Sequence, residues 1–274
     1  NTVARIVGSR VWIARDPRPS SPALAEAVIA GVVQAGGEAV DLGVLPTPGL
    51  SWRVAKEGGA AGVMITASHN PIDDNGIKVV FGDGKKLSTG LLAAISKELG
   101  QSVSKPGGSR REVSDATSVY VAAVLGALPP RKWLTGKRIF LDSAMGAAAG
   151  AGRRLLEALG ADVVPFLGRA INDRCGAVHP QFAAIAVQNQ GCDAGLAVDG
   201  DGDRVALIDA RGRILDGDAM LWLLRSGPIV VGTVMSNLGL ERALEKSGII
   251  LVRTGVGDAL VAAKMDEVGA ALGG

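Results

Sequence analysis

Two short stretches hold side chains whose spacing suits phosphate chemistry. In "DGDGDR", Asp199, Asp201 and Asp203 alternate with Gly200 and Gly202 and run into Arg204. Glycine allows the tight backbone on which three carboxylates converge. That convergence is costly unless it is neutralised, because like charges ~4 Å apart repel by about 4 kcal/mol at an effective dielectric near ~20. A divalent cation removes the penalty, and an all-oxygen donor set suits Mg2+, which retains waters and takes a phosphate oxygen readily. A calcium EF-hand loop fits poorly, since no glutamate stands where its last ligand is needed. The plain alternative is a solvated Asp-Gly turn. Three aspartates interleaved with two glycines at a strand end favour the metal reading. Arg204 then reads as a phosphate contact, or as a counter-ion to the aspartates.

The second stretch is "TASHNPIDDNG", residues 66–76, between the apolar runs "AAGVMI" and "IKVVF". Asn70, Pro71, Asn75 and Gly76 supply turn chemistry. Turning alone requires neither Ser68, His69 nor Lys78. No GxSxG elbow is present, and adjacent Ser and His side chains diverge, so a hydrolase triad is a poor match. An exposed hydroxyl beside amide donors and a lysine suits a serine that carries a phosphoryl group, with its charge of about −1.5 to −2 and three acceptor oxygens. Equally, Ser68 could cap a turn and His69 could be an ordinary loop histidine.

The elements that must hold these loops follow from punctuation and periodicity. "SSPALAEAVIAGVVQAGG" reads as a helix with Ser20 or Ser21 as N-cap, Pro22 in the first turn and Gly36 past the end. "PTPGLSWRVAKEGG" repeats the device with Thr47 and Pro48. Short Val, Ile, Leu and Ala runs at 11–14, 39–42 and 62–66 read as strands, giving the order β-α-β-α-β. The same order returns through "RIFLD", "DVVPF" and "AGLAVD", and a third round starts at "PIVVGTVM". The prediction is an α/β fold of repeated βαβαβ domains, with mixed, mainly parallel sheets sandwiched by helices. Residues 101–114, rich in Gly, Pro, Ser and charge, read as an interdomain linker. The domains are expected at 1–104, 105–214 and 215–274, the last incomplete. Ligands of open parallel sheets bind beyond the carboxyl ends of the strands. Both loaded loops follow the third strand of their repeat, which predicts one shared cleft.

Composition narrows the alternatives. The 274 residues are 47% hydrophobic and 20% charged, ample for folded domains. A net charge of +2 with scattered Lys and Arg argues against nucleic acid as the main partner. No apolar run reaches the ~18–20 residues of a membrane span. Cys175 and Cys192 lie in no CxxC pair, so a thiolate metal site or a disulfide framework is not expected. The first residue is Asn1 rather than Met, so the native start is expected to lie elsewhere.

"TASHNPIDDNGIKVVF" followed far downstream by "DGDGDR" resembles the α-D-phosphohexomutase superfamily. "GTVMSNLGLERAL" (232–244), "RTGVGDALVAAKM" (253–265), "ARDPRPSSPAL" (14–24) and "INDRCGAVHP" (171–180) are most similar to its bacterial phosphoglucosamine mutases. The resemblance implies a phosphorylated Ser68, and Mg2+ bound by Asp199, Asp201 and Asp203 with the phosphoserine completing the site. It also implies His69, Lys78 and Arg204 around the transferring phosphate, with Lys78 or His69 as the acid–base group. The implied reaction interconverts glucosamine 6-phosphate and glucosamine 1-phosphate through a 1,6-bisphosphate in a cytoplasmic enzyme. Its partner is a phosphosugar, no membrane or nucleic acid is involved, and a homodimer is admitted. The alternatives are the same chemistry on glucose or mannose phosphates, a silent fragment that binds Mg2+ and phosphate, and a Mg2+ phosphohydrolase. The family's sugar-binding loop and fourth domain find no match before Gly274, which implies part of a longer enzyme.

Overall fold

A computed structural model describes residues 10–59, 61–86, 97 and 105–274. The chain divides into two compact units, 1–213 and 214–274.

The first unit contains two sheets. One is built from β1 (Arg10–Arg15), β2 (Glu38–Val44), β3 (Ala61–Ile65), β4 (Ile77–Phe81) and β5 (Ser109–Glu112), in the order β4-β3-β1-β2-β5. Its centre reads as unbroken apolar sequence because helices α1 (Ser21–Gln34) and α2 (Thr47–Glu57) cover it. Accordingly, Val11, Ile13 and Ile65 pack with Ala25 and Ile29, while Trp12, Val40 and Met64 pack with Leu50 and Val54. In the second sheet β9 (Val205–Asp209), β8 (Ala194–Val198), β6 (Arg138–Asp142) and β7 (Asp162–Pro165) lie side by side. Helices α3 (Ala116–Gly126), α4 (Ala148–Ala158) and α5 (Gln181–Asn189) also belong to this unit. Ala116 and Ala147 belong to the same buried cluster as Trp12 and Leu50, so the two halves share a core.

Two pairings decide where the chemistry goes. β3 and β4 are antiparallel with Ile65 opposite Ile77, and β8 and β9 are antiparallel with Val198 opposite Val205. The pairings of β1 with β2 and β3, of β2 with β5, and of β6 with β7 and β8 are parallel. The serine loop and the acidic loop therefore occupy equivalent positions, each leaving the carboxyl end of a parallel-paired strand and returning in its antiparallel neighbour.

The stretch read as a linker contains β5, paired parallel with β2 from Glu38↔Ser109 to Asp41↔Glu112; residues 101–104 lie outside the described residues. All four β5 residues are exposed, so no apolar alternation marks the strand. Ionic contacts hold its face instead: Arg110 meets Glu26 at 2.7 Å and Arg111 meets Glu38 at 3.2 Å. Ser20 occupies the N-cap of α1 as expected, though its side chain makes no cap hydrogen bond; α2 differs, with Pro46 at the N-cap and Thr47 the first helical residue.

In the second unit β11 (Ile229–Thr233), β12 (Ile250–Thr254) and β13 (Leu272–Gly273) form a parallel sheet ordered β12-β11-β13. Short β10 (Ile214–Leu215) and helices α6 (Gly217–Leu224), α7 (Leu238–Lys246) and α8 (Asp258–Val268) complete it. Asp216 and Asn237 cap α6 and α7 through the Ala219 and Leu240 N–H groups. Leu221, Val230, Leu240 and Leu244 form its core. No helix among the described residues is long and apolar enough to cross a membrane. Cys175 and Cys192 are both buried and free. Burial first, then the charges of Asp142 and Asp173, push the Cys175 thiol up to about 12.

Candidate active site

The serine loop and the acidic loop meet. Ser68 Oγ donates to Asp199 Oδ2 at 2.7 Å, and only 8% of the serine is exposed. Sequence reading expected an exposed hydroxyl; burial follows because the acidic loop covers it. Ser68 adopts φ +54°, a left-handed conformation uncommon for a residue with a side chain. Its surroundings impose this. The Ser68 N–H donates to Thr66 Oγ1 at 2.8 Å, while its carbonyl accepts from Asn172 Nδ2 at 2.7 Å and Arg18 Nη2 at 3.1 Å.

Arg18 organises the whole loop from beneath. Its guanidinium, fully buried, donates to the carbonyls of Ser68, Asn70, Pro71 and Asp74 and to the Asp16 carboxylate at 2.9 Å. Asp16 in turn accepts from the hydroxyls of Ser21 and Thr66, at 2.9 and 2.7 Å. A planar fork with five donors suits this task, whereas an ammonium does not.

The three aspartates each offer an oxygen within 4.8 Å of the others. Asp199 and Asp201 are fully buried, and the Asp203 side chain is 19% exposed. Lys78, opposite Met64 in the β3–β4 pair, reaches across to Asp201 at 2.7 Å and Asp203 at 3.0 Å. Lys86 approaches Asp203 at 3.5 Å. Burial tends to lower the Lys78 pKa, but Asp201 and Asp203 outweigh it and hold the ammonium above its usual range. Burial likewise tends to raise Asp203, yet Lys78 and Lys86 bring it below the ordinary carboxylate value. Asp199 has no such cation among the described residues: burial and its two acidic neighbours raise it against the opposing Ser68 and Arg204 hydrogen bonds.

Close backbone packing fixes the acidic loop. A Cβ on Gly200 would lie 2.5 Å from the Ser68 carbonyl oxygen, and one on Gly146 would lie 2.2 Å from the Gly200 oxygen. Gly202 adopts φ +72°. The Thr47 N–H donates to the Asp201 carbonyl at 2.9 Å, and the Thr47 hydroxyl, read from sequence as a helix cap, donates to the Asp201 carboxylate instead. Asp201 Oδ1 is buried with no hydrogen-bond partner among the described residues. A carboxylate oxygen in that state is costly to leave unpaired. With the all-oxygen donor set, it makes the triad a fit for a divalent cation.

Ser68, Lys78, Asp199, Asp201 and Asp203 thus come together. Arg204 takes part through its N–H, which donates to Asp199 Oδ1 at 3.2 Å; its side chain is exposed with no partner among the described residues. His69 is also exposed and lies on a cleft of about 410 Å³ with Ile72, Ile171, Asp173 and His179. Sequence reading missed Asp16, Arg18, Thr47 and Asn172. Arg18 and Asn172 stood inside stretches noted for their resemblance, but nothing local showed what they touch.

Models of the phosphoglucomutase/phosphomannomutase α/β/α domains match the chain in order: domain I over 2–104, domain II over 118–212 and domain III over 214–274. A phosphoglucosamine mutase of Synechococcus elongatus is 43% identical over 96% of this chain and 60% of its own length. The chain therefore spans about 60% of that curated relative. A phosphoglucomutase/phosphomannomutase family protein from Burkholderia thailandensis has a similar structure, with TM-score 0.84, 26% identity and coverage of 100% of this chain and 67% of that one. An N-acetylphosphoglucosamine mutase from Aspergillus fumigatus, solved with GlcNAc-6P and magnesium, shares the fold at TM-score 0.53 and 19% identity, over 88% of this chain and 62% of that one.

Proposed function

The chain belongs to the phosphoglucomutase/phosphomannomutase family, the α-D-phosphohexomutases, and from that premise we propose that its site shifts phosphate between glucosamine 6-phosphate and glucosamine 1-phosphate. The observation that carries the reading is the 2.7 Å contact between Ser68 Oγ and Asp199, where a hydroxyl meets a carboxylate cluster fit for a cation.

In the proposed cycle Ser68 carries the phosphoryl group. A sugar hydroxyl oxygen bonds to phosphorus, and the bond from phosphorus to Ser68 Oγ breaks. The proton leaving the sugar hydroxyl passes to a base, and Ser68 Oγ regains one. The resulting 1,6-bisphosphate turns over, and Ser68 Oγ loses its proton to a base and bonds to the other phosphorus. The bond from that phosphorus to the sugar oxygen breaks as the sugar oxygen takes up a proton, restoring the phosphoserine. Lys78 and His69 are the candidates for moving these protons. Lys78 and the Arg204 N–H lie on the carboxylates that flank Ser68, so this charged frame is set before transfer begins. Mg2+ held by Asp199, Asp201, Asp203 and the serine phosphate would supply positive charge to the transferring phosphoryl oxygens.

The test is incubation with glucose 1,6-bisphosphate and Mg2+, followed by intact mass. One phosphate, about 80 Da, is expected on the wild-type chain and none on Ser68→Ala. Phosphate retained in that variant would place the carrier elsewhere. A coupled assay with glucosamine, glucose and mannose 6-phosphates ranks the substrates, and no preference for glucosamine 6-phosphate would overturn that assignment.

A further inference from the structure

The Ser68 carbonyl is held from two sides by donors of different origin. Arg18 follows β1, in the same half of the unit as the serine loop, and its contacts with four loop carbonyls fix the loop's own shape. Asn172 belongs to the other half of the unit, the half that carries the aspartates. Its Nδ2 bridges the carbonyls of Ser68 at 2.7 Å and Asn70 at 3.0 Å.

Asn172 is anchored to the frame of the acidic loop. Its N–H donates to the Ala144 carbonyl at 3.0 Å, and three residues on the Ala147 N–H donates to the Gly200 carbonyl at 2.8 Å. Its φ of +57° is one that asparagine tolerates better than most residues. Only 8% of the residue is exposed, and a Cβ on Gly200 would lie 2.9 Å from its Nδ2. The amide is therefore wedged between the two loops, and its two hydrogen bonds tie the serine backbone to the aspartate scaffold.

We propose that Asn172 is a positioning residue for phosphoryl transfer: by holding the Ser68 and Asn70 carbonyls, it registers Ser68 Oγ against Asp199 without touching the reacting atoms. The proposal rests on the reading of Ser68 as the phosphoryl carrier. Misplacement of a reacting group by ~1 Å costs about 100-fold in rate, and no other side chain joins the Ser68 carbonyl to the aspartate half among the described residues.

Two variants separate positioning from folding. Asn172→Gly keeps the left-handed backbone and removes the amide. Asn172→Asp keeps the shape and turns a donor into a carboxylate facing two carbonyl oxygens. Single-turnover transfer from glucose 1,6-bisphosphate to the full chain is expected to fall about 100-fold in maximal rate in both. Mg2+ affinity by calorimetry should stay at the wild-type value, as should the bisphosphate concentration giving half-maximal rate. Wild-type transfer rates in Asn172→Gly would overturn the proposal. So would a parallel loss of Mg2+ affinity or of helical circular dichroism in both variants, which would make the residue merely structural. Absence of transfer to the wild-type chain is a separate outcome, and it would overturn the carrier reading itself.

Discussion

The serine loop and the acidic loop leave equivalent strands of the two sheets, yet they are stabilised by opposite means. The serine loop is long and turns its carbonyls inward, where a buried arginine gathers those of Ser68, Asn70, Pro71 and Asp74. The acidic loop is short and turns its side chains inward, and its backbone is fixed by glycines packed where a Cβ would collide. The difference continues one strand away. Asp16 follows β1 and pairs with the Arg18 guanidinium, whereas Asp142 ends β6 and among the described residues accepts only the N–H groups of Ala144 and Gly176, at 2.9 and 2.7 Å. One loop is gathered around its own cation, Arg18. The other gathers carboxylates that fit a cation.

The sharpest way to break this contrast is to remove Arg18. Arg18→Leu takes the cation from the buried Asp16 carboxylate and removes a donor from four loop carbonyls, of which Ser68 and Asn70 keep Asn172 and Pro71 keeps the Asp74 N–H, so a loss of about 3–5 kcal/mol is expected in urea unfolding. Arg18→Lys should recover only part of it, because an ammonium cannot span the same acceptors. A loss below about 1 kcal/mol for the leucine variant would mean the loop is held by its turns alone.

Next is the point where the loops touch. In Gly200→Ala the new methyl would press on the Ser68 carbonyl, a backbone atom with no room to yield. Overpacking of this kind costs about 1–3 kcal/mol, and here it should also lower phosphate transfer to Ser68. Gly202→Ala meets only Ala148 and Pro46 side chains at 3.0 and 3.2 Å, but at φ +72°. It should destabilise the fold while leaving the Ser68 backbone in register. Equal transfer rates in the two variants would show that the Gly200 contact does not control the serine.

These contacts mark what the sequence could and could not convey. The order of strands and helices is legible because buried parallel strands are continuous apolar runs and the helices are punctuated by Ser, Pro and Gly. The acidic triad is legible because all its groups lie within a few residues. Thr47 reads as a helix cap because its actual acceptor, Asp201, is 154 residues away in the chain. Asn172 and Arg18 are silent for the same reason, since their partners are loop carbonyls that leave no trace in composition. β5 is silent because an exposed edge strand held by arginines has no apolar period.

A smaller effect tests the acidic loop as a cation site. In Asp201→Asn one amide oxygen can still accept from Thr47, so the fold should survive. The charge that attracts the metal is lost, along with half of the pairing for Lys78. Mg2+ affinity should weaken at least about tenfold, roughly 1.4 kcal/mol, with little change in thermal midpoint. Unchanged affinity would return residues 199–204 to a solvated Asp-Gly turn.

The smallest effect concerns the two buried aspartates beneath the loops. Burial raises the Asp142 pKa above its ordinary value, and the N–H groups of Gly176 and Ala144 only partly offset it. A carboxyl with a raised folded pKa binds more protons in the native state than in the unfolded chain. Stability therefore falls as pH rises from the unfolded aspartate value, about 3.9, to the raised folded value. Asn at this position keeps one acceptor and has no such titration. The stability gap between wild type and Asp142→Asn should accordingly narrow as pH rises through that window and then stay constant. Every other carboxylate, the metal triad included, is common to both proteins and cancels in the difference. Urea unfolding of the pair across acidic pH measures it. A gap that widens with pH would mean the folded state favours the charged form, and that the two backbone donors outweigh burial at Asp142.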